Sequence, residues 1–164
     1  MLEFTLNKNG GVTDVPGFTA SGIHCGIRKN KTKRDLALIF ADRMCSVACV
    51  YTTNKVKAAP ILLTMENMKS GKGRGIVCNS GNANACAPGG MEAAQAMANA
   101  TAKELKINPT ELIVNSTGVI GVELPIDAIL TGIPSLVKEL SKDNEAVKES
   151  PLLGITIRPV SYPG

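Results

Sequence analysis

The stretch Asn115-Ser116-Thr117-Gly118-Val119-Ile120-Gly121 is the part of this sequence best suited to chemistry. It follows Leu112-Ile113-Val114, a short, half β-branched apolar run that reads as a buried strand. It leads through Glu123-Leu124 to Pro125, a residue suited to the first turn of a helix. A strand that ends in small polar residues and glycine ahead of a helix leaves backbone N–H groups without ladder partners. With a threonine hydroxyl beside them, such donors suit a negatively charged oxygen. An ordinary strand-to-helix turn explains the same local pattern, and the pattern alone leaves both readings open. A second stretch looks similar: Gly75-Ile76-Val77-Cys78 runs into Asn79-Ser80-Gly81-Asn82-Ala83-Asn84-Ala85-Cys86. The two turns could lie side by side at one sheet edge, or share only the common turn residues Asn, Ser and Gly.

Other chemistries find less support. A Ser-His-Asp hydrolase has His24 as its only histidine and no G-x-S-x-G elbow to present a serine. His24 and Cys25 are neighbours on a segment that reads as a strand, so their side chains should diverge. No carboxylate pair suggests itself for acid–base work. The five cysteines (Cys25, Cys45, Cys49, Cys78, Cys86) are odd in number and form no close pairs, which argues against a disulfide framework. Cys45 and Cys49 should face one side of a strand, but zinc would want tight pairs and more histidine. All five read as reduced thiols, mostly small core residues, in a reducing cytoplasm. Gly71-Lys72-Gly73-Arg74-Gly75 lacks the phosphate-loop spacing and precedes a strand where it should follow one. For acyl chemistry there remains a nucleophile that carries its own base, such as an N-terminal threonine. The chain begins with Met1, so that threonine would lie elsewhere.

These residues need a scaffold. The 164 residues are 44% apolar and 20% charged, enough for a sizeable core in one domain or in part of a larger body. A net charge of +4, no Trp, three Phe and two Tyr give no footing for nucleic acid. No apolar run is long enough to cross a membrane, and Met1-Leu2-Glu3-Phe4 is acidic where a secretory signal would be basic. A cytoplasmic protein is expected. Past an irregular or edge-strand start at Gly10 to Gly17, Phe18 to Ile27 reads as a strand. The basic link Arg28 to Arg34 then reads as a solvated hairpin loop. Leu36 to Phe40 and Val47 to Tyr51 read as two further strands turning at Asp42-Arg43. Met65 to Ser70 reads as a short helix. Met91 to Leu105 is the clearest one, with Ala94, Met97, Thr101 and Leu105 as a buried stripe and its methionines as core filling. Asn108-Pro109-Thr110 forms a turn before the Leu112 strand. Ile126 to Thr131 and Ser135 to Leu140 read as helical pieces interrupted at Gly132 and Pro134, and Asp143 to Glu149 as the end of a helix. Ser150 to Gly164, with three prolines, reads as an extended tail, so residues 1–149 form the domain and 150–164 an appendage.

Several blocks together place the sequence. They are Gly11-Val12-Thr13 with Gly17-Phe18, then Asp35 to Ile39, then Thr52-Thr53-Asn54-Lys55-Val56-Lys57-Ala58-Ala59-Pro60. Val77 to Cys86 follows, and Ser116-Thr117-Gly118-Val119-Ile120-Gly121 with Leu124-Pro125 closes the set. In order and spacing, from about Gly11 to about Leu140, they resemble the ornithine acetyltransferase family. Its members are bifunctional glutamate N-acetyltransferases of arginine biosynthesis. The resemblance implies an α/β fold, a mixed sheet with packed helices, as the α-chain part of a two-chain body shared with self-cleaving aminopeptidases. It implies a precursor that cuts itself at an Ala-Thr bond, a β chain whose N-terminal threonine is the nucleophile, and an α2β2 heterotetramer. It implies acetyl transfer from N-acetylornithine to glutamate, with no cofactor and with acetyl-CoA as an alternative donor. In that family the Thr-Gly pair forms the oxyanion hole, which carries over to the Thr117 side chain and the Gly118 backbone N–H.

After about Leu140 the resemblance stops. The family's Met-Thr-Thr-Asp-Thr block, Lys-Gly segment and Ala-Thr-Met-Leu cleavage site have no counterpart here. Leu152-Leu153-Gly154-Ile155-Thr156-Ile157-Arg158-Pro159 stands where the first would fall. The substrate-contacting threonine, the lysine and the nucleophile are not among these residues, and Thr156 lacks the neighbours to replace them. The expectation is an α-chain homologue with its end cut short or replaced, with exposed sheet edges left by an absent β chain. Its rivals are a truncated, non-catalytic α-like domain and a self-cleaving amidase or aminopeptidase relative.

Overall fold

The structure, a computed structural model, describes residues 10–142. The expected helix end at Asp143 to Glu149, the tail 150–164 with Thr156, and the domain boundary between them lie outside the described residues. Four strands form one sheet in sequence order: β1 (Phe18–Ile23), β2 (Leu36–Ser46), β3 (Lys72–Asn82) and β4 (Leu112–Val119). The first two pairings are antiparallel and β3–β4 is parallel, so the sheet is mixed. The parallel pair needs a crossover, and helix α2 (Gly90–Leu105) supplies it. Helices α1 (Ala59–Asn67) and α3 (Ile126–Lys138) complete the layer.

All three helices cover one face. Leu36 and Leu38 of β2, Val77 of β3 and Val114 of β4 point into it and meet Ala94, Met97 and Ala98 of α2 and Ile129, Ile133 and Leu136 of α3. The alanines of α2 let its axis come close to the sheet. The expected stripe holds at Ala94, Met97 and Thr101, which are buried, with Leu105 half-buried. Met91 is 39% exposed, so of the two α2 methionines Met97 alone is buried in the core.

Both outer strands are tied by side chains or by a short bridge. Thr64 of α1 donates its hydroxyl to the Val114 carbonyl (2.9 Å) and accepts the Val114 N–H (3.0 Å). Asn67 donates to the Leu112 carbonyl at 2.9 Å. Along β1, Ala20 exchanges both backbone bonds with Ser141 (2.9 and 3.1 Å). The exposed edges expected from the sequence are therefore covered at these points, as edge strands require. What lies open is the second sheet face. There Ile39, Ala41, Ile76 and Ile113 line a groove of about 430 Å³ with Val12 and Phe18.

Four elements differ from expectation. Asp42-Arg43 is no turn: β2 continues to Ser46, and its register against β3 jumps between Phe40 and Cys45. The polar residues bulge out, and Arg74 donates to the Ala41 and Asp42 carbonyls freed there, at 3.3 and 2.9 Å. Val47 to Tyr51 is not a strand, and Val50 is 99% exposed. The helix expected at Met65 to Ser70 begins earlier, with Pro60 in its first turn, and ends in a 3-10 turn at Met68–Ser70. The two pieces after Pro125 are one helix, α3, with Pro134 inside it. Burial of Ile129, Ile133 and Leu136 outweighs the bond that Pro134 denies to the Leu130 carbonyl. Gly132 does not break this helix: a Cβ there would stand 2.7 Å from the Cys25 Cβ and 3.1 Å from Ile23 Cδ1, so the glycine permits close packing on the end of β1 and the loop after it.

Candidate functional site

The β3–β4 ladder aligns the two similar stretches residue for residue. Cys78 pairs with Asn115, Asn79 with Ser116, Ser80 with Thr117 and Gly81 with Gly118. The two stretches are thus side by side, at the carboxyl ends of two parallel strands, where open α/β sheets commonly place ligands. They are not turns leaving the strands, however, because β3 runs on to Asn82 and β4 to Val119. The ladder is irregular at its end, where Asn82 faces both Thr117 and Val119. Gly118 has φ +139°, and a Cβ on it would lie 2.3 Å from the Gly81 carbonyl carbon. Only glycine fits. Thr117 is half-buried and Gly118 exposed, so the pair is reachable from outside.

Alternation along the strands sorts the neighbours. Ser80 and Thr117 share the face opposite the helices with Ile76, Cys78, Ile113 and Asn115. The asparagines of the Asn79-Ser80-Gly81-Asn82-Ala83-Asn84 block brace the site. Asn79 donates to the Asn82 carbonyl at 2.9 Å. Asn82 donates to the Val122 and Glu123 carbonyls at 3.1 and 3.0 Å, and its side-chain oxygen accepts the Asn84 N–H at 2.8 Å. Asn84 reaches the Gly90 carbonyl at the start of α2 at 2.8 Å. These bonds fasten the segment after β4 to the end of β3, which fixes where Gly118 sits. Among the described residues, the Ser116 Oγ, Asn79 Oδ1 and Asn84 Oδ1 are buried without a hydrogen-bond partner.

The loop between β1 and β2 reaches the same place. Asp35, buried, accepts the N–H groups of Cys25, Gly26 and Arg28 at 2.7, 3.3 and 2.9 Å. Oδ1 takes Cys25, and Oδ2, which takes Gly26 and Arg28, also stands 3.1 Å from His24 Nδ1, which itself lies 3.0 Å from the Lys33 carbonyl. Lys29 to Lys33 are exposed, as a solvated loop should be. Arg28 is different: it turns inward and donates to the Ser80 hydroxyl oxygen. Sequence reasoning missed both Arg28 and Asp35. The available signal was Asp35 itself, the only carboxylate between Asp14 and Asp42, set against the first residue of an apolar strand.

The cysteines are inert or remote. β1 ends at Ile23, so His24 and Cys25 sit in the loop and do not alternate along a strand. Burial, with Asp35 nearby, pushes the Cys25 thiol up to about 12, and burial pushes Cys78 up to about 11. Neither is a thiolate at neutral pH. All five thiols are free, but Cys49 and Cys86 are exposed, contrary to the expectation of mostly core cysteines. Cys45 lies in β2 and Cys49 beyond it, so they do not share a strand. Among the described residues no group of three or more His, Cys, Asp or Glu could hold a metal ion, and no helix is long and apolar enough to cross a membrane.

Comparison with known proteins bears on the family and the fold. Residues 19–150 match the model of the ArgJ family, so the likeness runs past Leu140, where the sequence was expected to part from the family. The chain is 50% identical over 144 residues to the arginine biosynthesis bifunctional protein ArgJ 1 of Clostridium acetobutylicum, covering 87% of this chain and 35% of that protein. It is 48% identical over 135 residues to ArgJ of Caldanaerobacter subterraneus subsp. tengcongensis, covering 81% and 33%. It thus spans about a third of the length of these curated relatives. Among solved structures it is similar to ArgJ of Bacillus halodurans, with TM-score 0.81, 38% identity, and 90% of this chain and 78% of that one covered. It is also similar to the ornithine acetyltransferase of Mycobacterium tuberculosis complexed with ornithine, with TM-score 0.81, 36% identity, and 92% and 81% covered.

Proposed function

The chain belongs to the ArgJ family, and from that premise we propose that it supplies the oxyanion-binding part of an acetyl-transferring site. The observation that carries this reading is the register that sets Ser80-Gly81 against Thr117-Gly118 at the ends of two parallel strands. The α-chain-like unit is residues 1–149. In the complete enzyme, a threonine at the N-terminus of a β chain attacks the acetyl carbonyl of N-acetylornithine. Its own α-amine takes the proton. As the carbonyl oxygen becomes negative, the Thr117 hydroxyl and the Gly118 N–H donate to it. The tetrahedral intermediate collapses, ornithine leaves with the proton, and the acetyl group stays on the threonine oxygen. Glutamate then attacks the ester through its amine, and the same donors hold the second oxyanion. Acetyl-CoA is an alternative acetyl donor. No cofactor enters these steps, and the working assembly is an α2β2 heterotetramer formed after self-cleavage.

Glycine at 118 serves this purpose twice. It lets the two strands close at Gly81, and it leaves the N–H unobstructed by a side chain. The test is reconstitution. The chain is co-expressed with the remaining family segment that carries the threonine, and acetyl transfer from N-acetylornithine to glutamate is measured with intact mass. Activity together with a threonine-led second polypeptide that gains one acetyl group is the expected result. A folded complex that forms but never acetylates would refute the catalytic reading and leave a non-catalytic binding domain.

A further inference from the structure

We propose that Arg28 is a positioning residue for Thr117, acting through Ser80; the inference rests on the oxyanion reading above. The Arg28 guanidinium donates from Nη2 to the Ser80 oxygen. A serine hydroxyl has a single proton, and once its oxygen accepts from a cation that proton must find an acceptor elsewhere. The register partner of Ser80 is Thr117, on the same sheet face and one strand spacing away, about 4.8 Å between chains. Ser80 is thereby free to turn its proton to the Thr117 oxygen, a hydrogen bond not formed among the described residues, and the Thr117 proton is then left to the oxyanion. A chain of hydrogen bonds headed by a cation polarises each member, so Thr117 becomes a stronger and better-aimed donor.

Stability alone does not explain this arginine. Its Nε–H is buried without an acceptor among the described residues, a cost that an apolar side chain would avoid. No carboxylate among the described residues forms an ion pair with it, because Asp35 is engaged by three backbone N–H groups and His24. Yet its placement is controlled from both ends. Asp35 fixes the Arg28 backbone N–H at 2.9 Å. Its stem lies over Gly81, where a Cβ would come within 3.0 Å of Arg28 Cγ.

The test is steady-state acetyl transfer by the complete enzyme carrying Arg28→Met, Arg28→Lys, Ser80→Ala, the Arg28→Met/Ser80→Ala double change, or Thr117→Val. Arg28→Met and Ser80→Ala should each lower kcat roughly tenfold with KM little changed, the scale seen when a group that orients a functional one is removed. The double change should be no worse than either single change, because both cut one chain. Arg28→Lys should recover most of the loss, since an ammonium still donates to Ser80, while melting temperatures stay close to wild type. The proposal is overturned if Arg28→Met and Ser80→Ala leave kcat unchanged while Thr117→Val lowers it, or if their losses multiply. A neutral Thr117→Val would overturn the oxyanion reading itself. If Arg28→Met does not fold, Ser80→Ala decides alone: an unchanged kcat refutes the relay.

Discussion

Replacing Gly118 with alanine tests whether the closeness of the two strands is enforced by the missing side chain. At φ +139° an L-residue occupies backbone space that is nearly glycine-only, which costs about 1 to 3 kcal/mol. The added Cβ would also lie 2.3 Å from the Gly81 carbonyl carbon and 2.5 Å from the Asn82 nitrogen. Both are backbone atoms of a paired strand, so the ladder must open. Overpacking of that kind costs about another 1 to 3 kcal/mol. The sum is about 4 kcal/mol, or about 12 °C in melting temperature for a chain of this size. Gly121 is the control: its φ is +75°, and a Cβ there meets nothing within 4 Å. Gly121→Ala should cost only the left-handed conformation, about 1 to 2 kcal/mol. Urea unfolding of the two variants, followed by circular dichroism, gives both numbers. If Gly118→Ala loses no more than Gly121→Ala, the close approach does not constrain the site.

Pro134→Ala in the exposed part of α3 should stabilise the chain by about 1 to 3 kcal/mol, because it restores a donor to the Leu130 carbonyl; an unchanged or lower urea midpoint would contradict this. Asn82→Ala should cost about 3 kcal/mol, since it leaves the Val122 and Glu123 carbonyls and the Asn84 N–H without their partner, and amide hydrogen exchange at 119–124 should accelerate. Cys78 ionises near 9.0 when exposed and near 11 in the fold, so its contribution to stability is fully present below pH 9 and is lost as pH rises towards 11. Cys25, raised to about 12, acts in the same direction. Unfolding at about pH 8 and about pH 11 should therefore show a drop in stability that Cys78→Ala makes shallower, and equal drops would count against burial as the cause.

Local pattern went far where one element alone decided the outcome. α2 is readable from its alanine content and its three- and four-residue spacing, and β4 from a short, half β-branched run, whereas β1 was expected to reach Ile27 and ends at Ile23. The likeness between Asn79-Ser80-Gly81 and Asn115-Ser116-Thr117-Gly118 was visible too, and the parallel register gives it meaning by placing the stretches in step. Long-range effects were not readable. The bulge at Asp42-Arg43 depends on the pairing with β3 and on Arg74, 32 residues along the chain from Asp42. The continuity of α3 through Pro134 depends on core burial that local propensity does not contain. Arg28 looked like one more residue of a solvated basic loop, because its partner Ser80 lies 52 residues on. Asp35 stood out as a lone carboxylate at the start of an apolar strand, but its role, collecting backbone N–H groups, is not displayed by sequence.

The most direct test of the account is the turnover of the complete enzyme with Thr117→Val, which removes the hydroxyl and keeps the branched shape. The expected result is that kcat for acetyl transfer from N-acetylornithine to glutamate falls roughly a hundredfold, with KM nearly constant and folding intact, the usual cost of losing one oxyanion donor. A variant that folds and turns over at the wild-type rate would contradict it and remove Thr117 from the mechanism.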